Sequence, residues 1–457
     1  MRKWLNCFEK SRSTYHFALR NKRNSLRETA EANIIPMTVS KDFKANKKYL
    51  EFLAGDLVSV LLPLPLEEPY VYRVPLGMRI RTGDFALVPL GPRTRSGVIW
   101  GPGAGDIKPN RIKEIFERHD CPPLTHTTMG FLQWVANYAM HPVGGVLKMA
   151  MSVSGALDPP KPITGYVLAD STPEIRMTPE RKRVLIIAAN APARIATSLA
   201  REASVTSSVV KSLAKAGALK TVSLAPAVKL FAPDPDYPGT KLTKVQAKAA
   251  DELVKNVEGQ KFSVTLLDGV PGAGKTEVYF QAVAAALRQG KQVLVLLPEI
   301  ALSAQWMGRF RSRFGHPPAE WHSDLTQSRR RITWRAVAEG NVQAIVGARS
   351  ALFLPFQDLG LIVVDEEHET AFKQEEGVIY NARDMAVVRA KLGGFPIILT
   401  SATPSLETIV NTKRGRYGLL HLPARHGGAV LRKVEVIDML TATPHRGRWL
   451  SPVLETR

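Results

Sequence analysis

The ten residues 268–277, DGVPGAGKTE, constrain what this chain can fold into more than any other stretch. Within them Gly269-Val270-Pro271-Gly272-Ala273-Gly274-Lys275-Thr276 fits G-x-x-x-x-G-K-[ST], and Glu277 follows. The apolar run Val264-Thr265-Leu266-Leu267 before it reads as a buried strand. The segment from Thr276 to Arg288, closed by Gly290, reads as a helix. A strand, a glycine loop and a helix N-terminus build a phosphate cradle: backbone N–H groups point inward and the helix end adds positive potential. In such a cradle Lys275 reaches the terminal phosphates and the Thr276 hydroxyl takes Mg²⁺.

The rest of the chain must be compatible with that unit. Its 457 residues allow roughly three or four domains. Lys and Arg number 62 against 41 Asp and Glu, a net charge of +21 that favours a polyanionic partner, most simply nucleic acid. The two cysteines, Cys7 and Cys121, cannot frame a disulfide scaffold or a thiolate zinc site. No apolar run reaches the roughly 20 residues of a membrane span, and the first residues carry no signal-peptide core, so a cytoplasmic protein with no membrane partner is expected.

Residues 1–52 read as a basic, disordered extension, with 12 Lys/Arg against 4 Asp/Glu in the first 50; translation beginning at Met37 is the alternative. Residues 53–158 suggest a small β-rich module. Strands are expected at 57–62, 70–74, 85–89 and 96–100, with the loop Gly91-Pro92-Arg93-Thr94-Arg95 as a DNA or phosphate contact or a solvated hairpin tip. The helix FLQWVANY over 131–138 would pack Phe131, Leu132, Trp134, Val135 and Tyr138 inward. A Pro-rich linker is expected over 159–174. Three short helices and a wing strand over 175–228 give a winged-helix pattern, read equally as a DNA contact or a protein-contact module, with Lys211 and Lys215 on its third helix. A second linker covers 229–240. From 241 to 430, apolar runs at 264–267, 293–297, 344–346, 361–364 and 397–400 alternate with helical stretches, as a parallel sheet covered on both faces requires.

In that domain Leu361-Ile362-Val363-Val364 is followed by Asp365-Glu366-Glu367-His368. In open α/β sheets ligands sit at the carboxyl ends of strands, so Asp365 is placed to hold Mg²⁺ opposite Thr276, and Glu366 to orient and deprotonate the attacking water. Ser401-Ala402-Thr403 follows a later strand. The order P-loop, D-E-E-H, S-A-T resembles superfamily 2 helicases, which implies a RecA-like motor lobe and ATP as the nucleotide, with His368, Ser401 and Thr403 beside it.

Longer segments narrow the likeness. Leu297-Pro298-Glu299-Ile300-Ala301-Leu302-Ser303-Ala304-Gln305, Trp321-His322-Ser323, Gly347-Ala348-Arg349-Ser350-Ala351-Leu352-Phe353 and Ser401-Ala402-Thr403-Pro404-Ser405-Leu406-Glu407 are similar to motifs of the primosomal protein N′ family of bacterial replication-restart helicases. The resemblance implies 3′-to-5′ unwinding driven by ATP, binding to branched forks and single-stranded DNA, and partnership with primosome proteins, a loader of the replicative helicase and single-stranded-DNA-binding protein. It places Gln305 and Arg349 on DNA and gives Gln246 as an adenine reader. The stretch 370–384 is similar to the family's aromatic-rich loop, where Phe372 and Tyr380 would stack on bases and Lys373 and Arg383 meet phosphates; core anchoring of both rings is the alternative. Gly91 matches the family's DNA 3′-end pocket, with Arg93 beside it. Val71 stands between Tyr70 and Tyr72 where the family usually carries an aspartate. The resemblance further implies a second motor lobe, begun at 431–457, and a zinc region for which this chain offers no cysteine ligands. A non-catalytic fork-binding scaffold and an unrelated P-loop ATPase are the rival readings.

Overall fold

The computed structural model describes residues 49–66, 68–103, 111–159, 163–170, 173–189, 192–224, 232–298, 304–425 and short pieces between 437 and 455. The expected extension up to residue 48, residues 299–303 and most of 426–457 lie outside them.

Five strands form the front module: β1 (Leu57–Leu61), β2 (Tyr70–Arg73), β3 (Phe85–Leu90), β4 (Arg93–Pro102) and β5 (Glu117–Arg118). They pair antiparallel in the order β2-β1-β4-β3-β5. Inward residues alternate, with Val58, Val60, Tyr72, Ala86, Val88 and Ile99 in one core. The expected Gly91–Arg95 loop is a tight turn instead: Gly91 takes φ 58°, and Arg93, Thr94 and Arg95 already belong to β4, paired with Leu90, Pro89 and Val88. Helices α1 (His126–Tyr138) and α2 (Val143–Ala150) complete the module. Tyr138 lies exposed, stacked on the half-buried Trp134 at 5.1 Å between ring centroids, rather than packed inward as its spacing suggested.

The region read as a winged helix starts earlier than expected. Strand β6 (Ile163–Leu168) lies inside the stretch read as linker and is the central strand of a three-stranded sheet, with β7 (Arg194–Ile195) and β8 (Leu219–Leu224) on either side. Six residues of strand among prolines carry too little periodicity to stand out. Between the strands run α3 (Pro179–Ala189), α4 (Ala196–Glu202) and α5 (Ser207–Lys215), closed around Val184, Leu199, Val210 and Leu213.

The third region opens with α6 (Lys244–Glu258) and is built on β9 (Val264–Gly269), β10 (Gln292–Leu296), β11 (Ala319–Trp321), β12 (Ala344–Gly347), β13 (Leu359–Val364), β14 (Ile397–Ser401) and β15 (Gly418–Leu422). All seven are parallel, in the order β11-β12-β10-β13-β14-β9-β15. This is a RecA-like lobe. Helices α7 (Lys275–Arg288), α8 (Ala304–Phe314), α9 (Gln327–Ala338), α10 (Ala382–Gly393) and α11 (Leu406–Lys413) connect the strands. Helix α7 is apolar on nearly all sides and correspondingly buried, its alanines letting α6 pack closely.

The front module and the lobe join through donors that all come from the lobe. Trp334 N–H donates to Ala150 O at 2.7 Å, Arg335 to Leu157 O at 3.0 Å, Arg331 to Ser154 O at 3.2 Å and Gln357 to Pro123 O at 3.1 Å. Arg389 is buried, donates to the carbonyls of Leu352 and Leu354, lies 3.4 Å from the Thr128 hydroxyl, and stacks over Phe131 and Phe356.

Candidate active site

Strand order puts the two key loops together. β9, which feeds the glycine loop, and β13, which feeds the acidic run, flank β14, and their carboxyl ends open on one edge of the sheet. The loop keeps its shape through Gly272 and Gly274, at φ 80° and 83°. A Cβ on Gly274 would stand 2.4 Å from the Gln246 amide, so only glycine fits there. Gln246 has a structural task besides its place in the site. Its carbonyl accepts from Thr243 N–H at 2.9 Å in a capping box, and its amide donates to Ala273 O at 2.8 Å.

A cavity of about 400 Å³ results, lined by the glycine loop from Pro271 to Glu277, Gln246, Lys241, Arg309, Asp365 and Glu366. Lys275 Nζ donates to Gly269 O at 2.9 Å and lies 3.8 Å from Glu366 Oε1. Glu366 is a non-glycine residue at φ 50°, held there by the turn that follows β13. Burial raises the pKa of its carboxyl above the ordinary carboxylate range, and the Lys275 charge opposes that rise. Asp365 receives hydrogen bonds from the Tyr279 hydroxyl at 2.9 Å, from the Thr400 hydroxyl, and from Glu366 N–H at 3.1 Å. Ser401 Oγ and His368 Nδ1 share a hydrogen bond of 2.8 Å, and Thr403 N–H donates to Ser401 Oγ at 3.0 Å. His368 in turn lies 3.7 Å from Glu366, so the S-A-T segment is wired to the acidic run.

This donor set suits Mg²⁺ and a nucleotide. Magnesium takes one or two protein oxygens and completes its shell with water and phosphate, so one hydroxyl and one carboxylate suffice. Thr276 and Asp365 would hold it, and the ion would neutralise phosphate charge; Lys275 and the loop amides would hold the phosphates.

Two family models match in the order of the regions: the 3′DNA-binding domain of PriA over residues 59–152, and the DEAD/DEAH box helicase over 243–412. The chain is 31% identical to replication restart protein PriA of Rickettsia felis over 402 residues, 87% of this chain and 50% of that protein. It is 34% identical to the Haemophilus influenzae protein of the same name, covering 87% of this chain and 56% of that one. The corresponding Bacillus subtilis protein is 31% identical over 82% of this chain and 56% of its own length. Over more than four fifths of its length the chain is similar to the PriA replication-restart proteins. It spans about half the length of the curated relatives it matches.

Against that background the residues expected on DNA divide. Gly91 sits on an exposed turn of the front module with open space where a Cβ would be, and Arg93 is exposed at the start of β4. Gln305 is exposed at the start of α8, and Lys373 is exposed with its amine 2.9 Å from Glu375. Phe372 and Tyr380 correct the expectation: they are 1% and 2% exposed, and Tyr380 meets Phe353 edge to face at 5.3 Å. Neither ring is available to stack on a base. The loop closes on itself, with strand pairing between 373–374 and 380–381 and Arg349 donating to Lys373 O at 2.8 Å. Arg383 is buried as well. It is 3.1 Å from Glu367 and 2.8 Å from Asp384, and those carboxylates raise its pKa despite burial. Spacing alone could not separate a base-stacking ring from a core ring. Tyr279, Thr400, Trp306 and Arg309 escaped the sequence reading; the one signal was a tyrosine four residues after Lys275, on the same helix face.

Proposed function

We propose that this chain binds ATP and Mg²⁺ in the Lys275–Asp365 cleft and DNA through its front module, as a component of a 3′-to-5′ helicase that restarts replication at stalled or branched forks. The observation that carries the reading is the 3.8 Å approach of Lys275 to Glu366 at the carboxyl end of a parallel sheet, across a cavity open to the glycine loop. In this reading Lys275 and the loop amides align the terminal phosphates. Glu366, its carboxyl raised by burial, takes a proton from the attacking water. Gln305, Arg349, Lys373, Gly91 and Arg93 supply DNA contacts, and Gln246 sits where the adenine end would enter. Primosome proteins, a helicase loader and single-stranded-DNA-binding protein are the proposed partners, in the cytoplasm; a zinc region would belong to parts of such a protein beyond the residues described.

Titration with a fluorescent ATP analogue tests the reading. Lys275→Ala should weaken Mg–nucleotide binding by on the order of 100-fold, the loss of a charge-assisted contact. Equal binding by both proteins overturns it. The logarithm of the DNA affinity should fall linearly with the logarithm of salt concentration, as phosphate contacts require.

A further inference from the structure

Tyr279 is fully buried on α7, one turn after Lys275, and its oxygen is surrounded by polar groups. Trp306 Nε1 lies 2.8 Å away and Asp365 Oδ2 2.9 Å away. The polarity of this cluster is fixed by chemistry. An indole N–H can only donate, so the phenol oxygen accepts from Trp306 and must send its single proton elsewhere. An ionised carboxylate can only accept, so that proton points at Asp365. Tyr279 thereby holds the rotamer of Asp365, the carboxylate expected to bind the metal.

We propose that Tyr279, oriented by Trp306, is a positioning residue for the magnesium that accompanies the nucleotide. It touches neither nucleotide nor metal and acts through Asp365. Trp306 lies on α8, so any shift of that helix would be felt at Asp365 through one hydroxyl. This rests on the reading of the cleft as a Mg–nucleotide site.

The test is equilibrium binding of a fluorescent ADP analogue to the full chain, titrated with Mg²⁺ and repeated in EDTA. Tyr279→Phe keeps the ring and removes the hydroxyl. It should raise the half-saturating Mg²⁺ concentration about tenfold, the size of a hydrogen bond to a charged group, while affinity in EDTA stays unchanged. Trp306→Phe should shift the Mg²⁺ midpoint in the same direction by less. The double variant should be no worse than Tyr279→Phe alone, because Trp306 acts only through that hydroxyl. The double variant also removes both ends of the buried bond, so it reports should Tyr279→Phe prove unstable. An unchanged midpoint overturns the inference, as do equal losses with and without Mg²⁺ or additive losses in the double variant. Wild-type binding that ignores Mg²⁺ overturns it too while leaving the nucleotide site standing. Absence of nucleotide binding by the wild type overturns the site itself.

Discussion

Glu366 holds a left-handed backbone at φ 50°, a conformation that costs a side-chain-bearing residue on the order of 1–2 kcal/mol. The strain is sustained because Asp365 N–H donates to Leu296 O at 3.0 Å and Glu367 N–H to Thr400 O at 2.9 Å, pinning the turn on either side. The result is a carboxylate aimed at Lys275. Glu366→Gln should keep nucleotide affinity and lower any hydrolysis by about 10²–10⁴, the usual contribution of a positioned base. The pH dependence has a definite sign. A raised carboxyl pKa means the basic form accumulates later, so hydrolysis should climb with pH through a midpoint above the ordinary glutamate value of about 4.3. The glutamine variant should lose that limb, which a pH–rate series checks. Cys121 behaves oppositely to a reactive thiol. Burial pushes its pKa up to about 12, so in the folded protein at neutral pH it should resist iodoacetamide and react only after denaturation.

At the scale of single elements, the acidic run after β13 splits its labour. Asp365 and Glu366 face the cleft, whereas Glu367 turns inward and organises the neighbouring segment. Its carboxylate accepts from Arg383, from Ser405 N–H at 2.7 Å and from Thr408 at 3.0 Å, which locks the start of α11 to α10. Removing one partner leaves a charge buried without its counterpart, so Arg383→Met should lower stability in urea by about 3–5 kcal/mol. The loop between β13 and α10 makes a contrasting case. The Tyr380 hydroxyl is buried without a hydrogen-bond partner among the described residues, so Tyr380→Phe should leave stability unchanged or slightly higher and leave DNA affinity unaltered. A clear loss of DNA binding by that variant would show that the loop opens to present the ring.

Across the whole molecule, the PriA-type module is fastened to the motor lobe by side chains that reach backbone carbonyls. Such bonds depend on the position of the chain and not on the module's side chains. They fix the Gly91 turn in a set relation to the nucleotide cleft. Arg389 sits at this junction with no carboxylate within ion-pairing distance among the described residues, and burial lowers its pKa. Its planar fork serves several carbonyl and hydroxyl acceptors at once, which an ammonium cannot imitate. Arg389→Lys should therefore cost about 1.5–3 kcal/mol, the value of a hydrogen bond from a charged donor. It should also make the module more susceptible to proteolysis near residues 120–160, readable by limited digestion.

The cleft between the glycine loop and the acidic run was legible in the sequence because its determinants are local. A glycine loop between strand and helix, and carboxylates directly after an apolar strand, fix backbone shape and charge within a few residues. The five central strands were legible for the same reason, since a strand buried on both faces must be a continuous apolar run. What only the tertiary structure decided depends on contacts distant in the chain. It buried Phe372, Tyr380 and Arg383, gave the 163–168 stretch its strand partners, and brought Trp306, Tyr279 and Asp365 into one line of hydrogen bonds. No periodicity encodes those outcomes, because burial and pairing at these positions are set by residues tens of positions away.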